Sequence, residues 1–264
     1  MKRTKIFSTL LISLIMLLCF SGAAIADNSN VDAQDAYDWL LEIGTPADIL
    51  DNRSDEVLVN LYNRLVEYDE VSVDVDKVSL TESNPYIQPL GSIDRNDLDF
   101  TISTYIGKSR FGNIETVVVT IDYEWADRKP LWRIVDGITV NWPGQYFTYE
   151  ANSFYAQNHL GSGQQEKITT PDEVVQGGLG WTFDVANSST QSAYGYGEFT
   201  LNPVDGTMIS GSRYTANINA TYGHKTFVGN VSIGITGSGV SAGVTLVGVD
   251  DQTSASTNVR FDFE

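Results

Sequence analysis

The sequence predicts a mainly β protein: an antiparallel β-sandwich carrying a small α-helical N-terminal segment. Three observations lead there. Helical spacing of apolar residues is confined to the stretch from about Val31 to Tyr68. From Val71 onward the spacing alternates, as in strands with one wet and one dry face. Alternating runs then recur at short intervals to the C-terminus, separated by Gly-, Asn- and Asp-rich turns, which is the rhythm of a sandwich.

The chain begins with a secretory leader pattern. Lys2, Arg3 and Lys5 precede an uncharged apolar run from Ile6 to Phe20, and Ala24-Ile25-Ala26 supplies small residues for cleavage. The predicted organisation is therefore a signal peptide over 1–26, a short helical segment over 27–70 and a sandwich-like domain over 71–264. The apolar run is short for a membrane span of about 20 residues. Cys19, the one cysteine, follows Leu18 rather than the small residue a lipid-attachment signal requires. Cleavage also removes that thiol, so the mature body holds together without disulfides, by packing and hydrogen bonds. The expected location is extracellular, or periplasmic in a cell with an outer membrane.

Within the helical segment, Ala36, Tyr37, Leu40 and Leu41 keep a helical period and Gly44 stops it. Thr45-Pro46 starts a second helix, with Asp48 where the first-turn amides favour an acid. A third opens at Ser54, and Val57, Leu58, Leu61, Tyr62 and Leu65 form its apolar stripe. Three such short helices cannot bury a core alone and should dock on the β body or on a partner.

In the β region, Val71, Val73 and Val75 alternate with polar residues. The longest run sets Val117, Val119, Ile121, Tyr123 and Trp125 on one face, so it reads as a half-buried strand. A turn over 127–130 leads into a strand over 131–142, with a bulge or kink expected at Asp136-Gly137. Further strands are expected over 98–106, 145–151, 179–185, 194–201, 214–222, 227–236, 240–247 and 258–263. Asn158 to Pro171 reads as a long polar loop, and Thr170-Pro171-Asp172-Glu173 as a capping box opening one helical turn. Gly237-Ser238-Gly239 should close a hairpin with apolar positions Val231, Ile233, Ile235, Val240, Val244 and Leu246.

Charge excludes some functions. The leader contains three of the 16 basic residues and none of the 34 acidic ones, leaving 13 against 34 and a net charge of −21. That field repels nucleic-acid phosphates and anionic lipid head groups while keeping the chain soluble. No nucleic-acid partner is expected, and a membrane partner is disfavoured.

Chemical motifs are sparse. His159 and His224 are the two histidines; no G-x-S-x-G elbow positions a serine beside either, and H-E-x-x-H is missing. No catalytic residue is assigned and no metal site predicted. Asp94-Arg95-Asn96-Asp97-Leu98-Asp99 departs from a calcium loop at Leu98, the third ligand position, and at Asp99, where the turn glycine belongs. No cofactor is expected, calcium being the cation such carboxylates would suit. Paired carboxylates keep a glycan hydrolase open as an alternative, with Glu124, Glu150 and Glu198 beside aromatic-rich strands. A second alternative is a pore-forming hairpin over 227–249, whose strands fall short of the roughly 9 to 11 residues that cross a bilayer. Sequons at Asn52, Asn187, Asn219 and Asn230 carry no assignment.

The aromatics supply the preferred reading. Trp132, Trp142, Tyr146, Tyr149, Trp181, Tyr194 and Tyr196 lie on strands or at their ends, where flat rings either fill the core or form a platform for sugars. These seven are the candidate ligand-binding residues of a secreted, non-enzymatic binding protein. Its expected partner is an extracellular polysaccharide or an envelope protein.

The stretch from Trp39 to Leu50, WLLEIGTPADIL, with Leu61-Tyr62-Asn63-Arg64-Leu65, resembles segments of secreted, uncharacterised proteins of Gram-positive bacteria. In those a short helical leader built around a Gly-x-Pro turn precedes a β-rich body. The resemblance implies a bacterial exoprotein and no particular activity.

Overall fold

The computed structural model describes residues 31–78, 93, 97–125, 134–160, 163–185, 192–204, 213–225 and 231–262. Residues 1–30 with Cys19, residues 94–96 of the calcium-loop-like run, the turn over 127–130, Trp132, Asn187 and Asn230 lie outside the described residues.

Three helices open the described chain: α1 (Ala33–Glu42), α2 (Ala47–Leu50) and α3 (Asp55–Leu65). Asp32 caps α1 by accepting from the Asp35 N–H at 2.8 Å, and Gly44, at φ 107°, ends that turn as its position predicts. The strands are β1 (Glu70–Val78), β2 (Leu98–Lys108), β3 (Ile114–Trp125), β4 (Ile134–Asn141), β5 (Phe147–Tyr149), β6 (Tyr155–His159) and β7 (Gln165–Ile168). They continue with β8 (Glu173–Val175), β9 (Gly178–Val185), β10 (Tyr194–Pro203), β11 (Arg213–His224), β12 (Ser232–Thr236), β13 (Gly243–Val247) and β14 (Asp251–Asp262).

The strands form two large antiparallel sheets, as the alternation predicts. One runs β1-β2-β3-β10-β6-β7 with β5 also on β10, and the other runs β14-β11-β4-β9-β8. Between them lies the main core, built from residues such as Phe100, Ile121, Trp125, Val140, Trp181, Phe199, Ile218 and Tyr222. At one side Asp76 of β1 accepts the Ser256 N–H of β14 at 2.8 Å, tying two sheet edges together.

The helices dock on the outer face of the first sheet. Ala36, Leu40, Leu50, Leu58, Leu61 and Leu65 bury themselves against Tyr105 of β2 and Val118 of β3. This docking corrects the half-buried reading of β3, whose middle is buried on both faces. On the far side, the β12–β13 hairpin lies over the second sheet, where glycines admit it. A Cβ at Gly137 would stand 2.8 Å from Leu246, and one at Gly180 3.0 Å from Ile233. Its strands have five residues each, short of a bilayer crossing.

Three further expectations are corrected. The long polar loop expected over 158–171 takes in the end of β6 and all of β7, which pair from Ala156↔Ile168 to His159↔Gln165; a polar edge strand carries no apolar alternation by which to announce itself. The capping box does not open a helix. Asp172 instead accepts from the N–H and hydroxyl of Thr182, and Glu173 begins β8, so pairing with β9 wins over local capping. Finally, β4 runs through Asp136-Gly137 in unbroken register with β9. Burial of Asp136 is made tolerable there by hydrogen bonds from Tyr222 at 2.6 Å and with His224 at 2.8 Å.

Candidate functional site

At mid-strand in β2, β3 and β10, Ser103, Thr120, Glu198 and Thr200 are buried and Asp122 is half-buried, although they are polar. Register sets Tyr196 opposite Asp122, Glu198 opposite Thr120, and Thr200 opposite Val118, all on the face the helices cover. The glycines between them, Gly195 and Gly197, face the core and yield their space to Tyr123 and Trp181. The run YGYGEFT thus alternates large polar groups under the helices with glycines under aromatic rings.

A buried polar seam follows. Arg53, fully buried in the α2–α3 turn, gives its guanidinium to Asp122 at 2.8 and 3.1 Å, to Thr120 at 3.0 Å and to Tyr105 at 3.3 Å. Its charge also lies 4.8 Å over the ring of Tyr196. Burial opposes that charge, and Asp122 with its neighbours more than offsets it, so Arg53 stays cationic. Tyr196 donates a short hydrogen bond to Glu198. Glu198, 2% exposed, pairs with Arg64 of α3 at 3.1 Å. Burial pushes the Glu198 carboxyl above its ordinary range, and Arg64 and Tyr196 only partly offset the effect.

The seam opens at both ends. One opening is a small mouth of about 40 Å³ among Asp48, Asn52, Lys77, Asp99, Glu124 and Tyr194. Lys77 is held by Asp48 at 2.6 Å, Asn52 donates to Glu124 at 3.1 Å, and Tyr194 stacks on His159 at 4.3 Å. Burial lowers the His159 pKa. Among the described residues, no group of three or more His, Cys, Asp or Glu is arranged to hold a metal ion.

The other opening is larger, a cavity of about 330 Å³. Arg64 and Tyr68 bound it from the helical side, and Thr116, Val118, Thr200 and the 150–153 turn from the sheet side. That turn is tightly built. Ser153 donates its hydroxyl to the Glu150 carbonyl at 2.7 Å and accepts the Thr200 N–H at 2.9 Å, while the Glu150 N–H bonds the Thr200 carbonyl at 2.9 Å. Asn152 takes a left-handed φ of 67°, alone among described non-glycine residues. Arg64 spans the floor, donating to Thr200 and to the Ser153 carbonyl, each at 3.1 Å. The volume is at the lower end of what encloses a small ligand, roughly 300 Å³ upward.

Of the seven rings singled out in the sequence, the six among the described residues do not converge. Trp181 and Trp142 are core residues, packed on Phe154 at 5.1 Å and on Phe199 at 5.6 Å, and the Trp142 N–H donates to the Gln176 carbonyl. Tyr196 is buried in the seam, and Tyr146 and Tyr149 are half-buried against the core. Tyr194 is half-buried at the small mouth. Burial corrects the platform expectation for Trp142, Trp181 and Tyr196, because a ring closed off by two sheets or by a helix offers no face to a sugar. Sequence reading missed Arg53, Arg64, Tyr68, Asp122 and Asn152. The available signal was two arginines in an otherwise acidic helical segment, facing a strand whose polar positions repeat as Thr120, Asp122 and Glu124.

No protein-family model matches the chain, and no curated protein matches it in sequence. Among solved structures, it is similar to the collagen-binding subdomain ACE19 of the Enterococcus faecalis surface protein ACE, at 9% identity over 56% of this chain and 88% of that one, with a TM-score of 0.30. The collagen-binding domain of the Erysipelothrix rhusiopathiae surface protein RspB aligns at 11% identity over 70% and 80%, TM-score 0.28. The C-terminal domain of the Streptococcus agalactiae AgI/II polypeptide BspA aligns at 9% over 47% of this chain and about half, 53%, of that one, TM-score 0.25. Likenesses this faint bear no weight on ligand or activity.

Proposed function

We propose that this chain is a secreted, non-enzymatic binding protein for an extracellular carbohydrate or envelope component, and that the cavity between α3 and the 150–153 turn receives the ligand. The observation that carries the reading is the composition of that cavity. It sets a half-buried ring, Tyr68, beside Arg64, Glu150, Asn152, Ser153 and Thr200, on a frame fixed by the hydrogen bonds of the turn. Saccharides are held by such a mixture of one stacking surface and several directional polar groups.

The test is capture of cell-wall fractions and polysaccharides by the full chain, compared with Tyr68→Ala and Asn152→Gly. The glycine keeps the left-handed backbone and removes the amide. Binding by the native chain that falls at least about tenfold, roughly 1.4 kcal/mol, in both variants supports the reading. Uniform failure of the native chain, or binding indifferent to both changes, overturns it.

A glycan hydrolase is the second reading, favoured by Glu198, which holds its proton above the usual carboxyl range, with Glu150 across a strand pairing from Thr200. Glu198 lies behind Arg64, which weighs against direct attack. Release of new reducing ends, abolished by Glu198→Gln, would establish the hydrolase instead.

A further inference from the structure

The cavity at α3 is electrostatically one-sided. Arg64 is the one cationic side chain among the described residues lining it, and its charge is already taken by buried Glu198 at 3.1 Å. Its guanidinium nitrogens also donate to Thr200 and to the Ser153 carbonyl. Against that neutralised pair stand carboxylates that nothing in the cavity balances. Glu150 lines the opening and is exposed, while Glu115 and Glu67 adjoin the lining residues Thr116 and Tyr68 and are likewise exposed. Burial first, and then all three carboxylates, hold the Tyr68 proton more tightly, against the opposing hydrogen bond with Thr116.

A ligand entering this site therefore meets hydroxyl, amide and carbonyl groups under a negative potential, and among the described lining residues no cation other than the paired Arg64 stands ready to receive a carboxylate or phosphate. Resting on the saccharide reading above, we infer that the site selects uncharged glycans and rejects their acidic counterparts, so that uronate-rich or phosphate-bearing wall polymers are not its ligands. The discrimination comes from repulsion by Glu150 and its neighbours rather than from any added contact to the neutral sugar.

Matched pairs test this: laminarin, dextran and soluble cellulose oligomers, each beside its carboxymethylated form, titrated against the full chain at low and at physiological salt. The expected result is binding to one or more neutral members, with the acidic partner about tenfold weaker at low salt. Added salt should narrow that gap, because screening shortens the reach of Glu150, Glu115 and Glu67. Glu150→Gln should narrow it too, by raising the affinity of the acidic form. Equal or tighter binding of a carboxymethylated member would overturn the charge selection while leaving the saccharide reading intact. Binding of no member, neutral or acidic, would overturn both.

Discussion

Arg53 and Asp122 join the helical segment to the first sheet through two hydrogen bonds, at 2.8 and 3.1 Å, from a guanidinium with no exposure to solvent. The pair belongs to two regions that the sequence separates at residue 70, and its desolvation makes it sensitive to the loss of one member. Asp122→Ala leaves a buried charge without its counter-ion and should lower unfolding stability by about 3 kcal/mol or more. Replacing both members by apolar residues, Arg53→Met with Asp122→Leu, should recover much of that loss. Urea denaturation of the three chains decides the matter; a single variant as stable as the native chain would mean that the pair is dispensable.

Acid should affect Glu198 in the sense opposite to an ordinary ion-paired carboxylate. Burial raises its pKa in the fold, despite Arg64. Between the ordinary and the raised value the folded chain keeps a proton that the unfolded chain has released. Stability linked to this group is therefore greatest on the acid side and declines as pH rises through the window. Glu198→Gln, neutral throughout, lacks that slope. Unfolding free energies from about pH 4 to 7 should give curves that diverge as pH rises. Parallel curves would show that Glu198 titrates alike in both states.

The sheets and the helices were legible in the sequence because each had a period. Val117, Val119, Ile121, Tyr123 and Trp125 point to the core as alternation predicts, and Leu58, Leu61 and Leu65 make the buried stripe of α3. What alternation cannot show is what covers the other face. Thr120 and Asp122 fall on the face that a half-buried β3 leaves to water, and they and Glu198 are polar because Arg53 and Arg64 meet them there, not because water does. The cavity was illegible for the same reason. Its walls come from α3, β3, β10 and a turn at 150–153, joined by pairings that no local pattern encodes.

Gly197 should resist substitution although it lies in the middle of a strand, where glycine is ordinarily the weaker choice. A Cβ there would fall 2.7 Å from Cζ2 of Trp181, itself 1% exposed and packed on Phe154. Gly197→Ala therefore exchanges a gain in β propensity for a clash with a ring that has no empty space to enter. A loss of about 1 to 3 kcal/mol is expected, with a changed near-ultraviolet circular-dichroism signal from the displaced indole. An alanine variant equal to the native chain in both measurements would mean that Trp181 has room the packing does not show.

Asn152 separates backbone from side chain at the cavity rim. Its φ of 67° is a conformation that asparagine tolerates and that costs other side chains roughly 1 to 2 kcal/mol. Asn152→Gly should thus leave thermal stability nearly unchanged, while Asn152→Ala should lose about 1 kcal/mol. Both remove the amide from the cavity. If the amide touches a saccharide, the two variants will weaken glycan capture alike despite their unequal stabilities. If capture instead follows stability, failing in the alanine variant and surviving in the glycine one, then Asn152 serves the turn alone and the ligand is held by its neighbours.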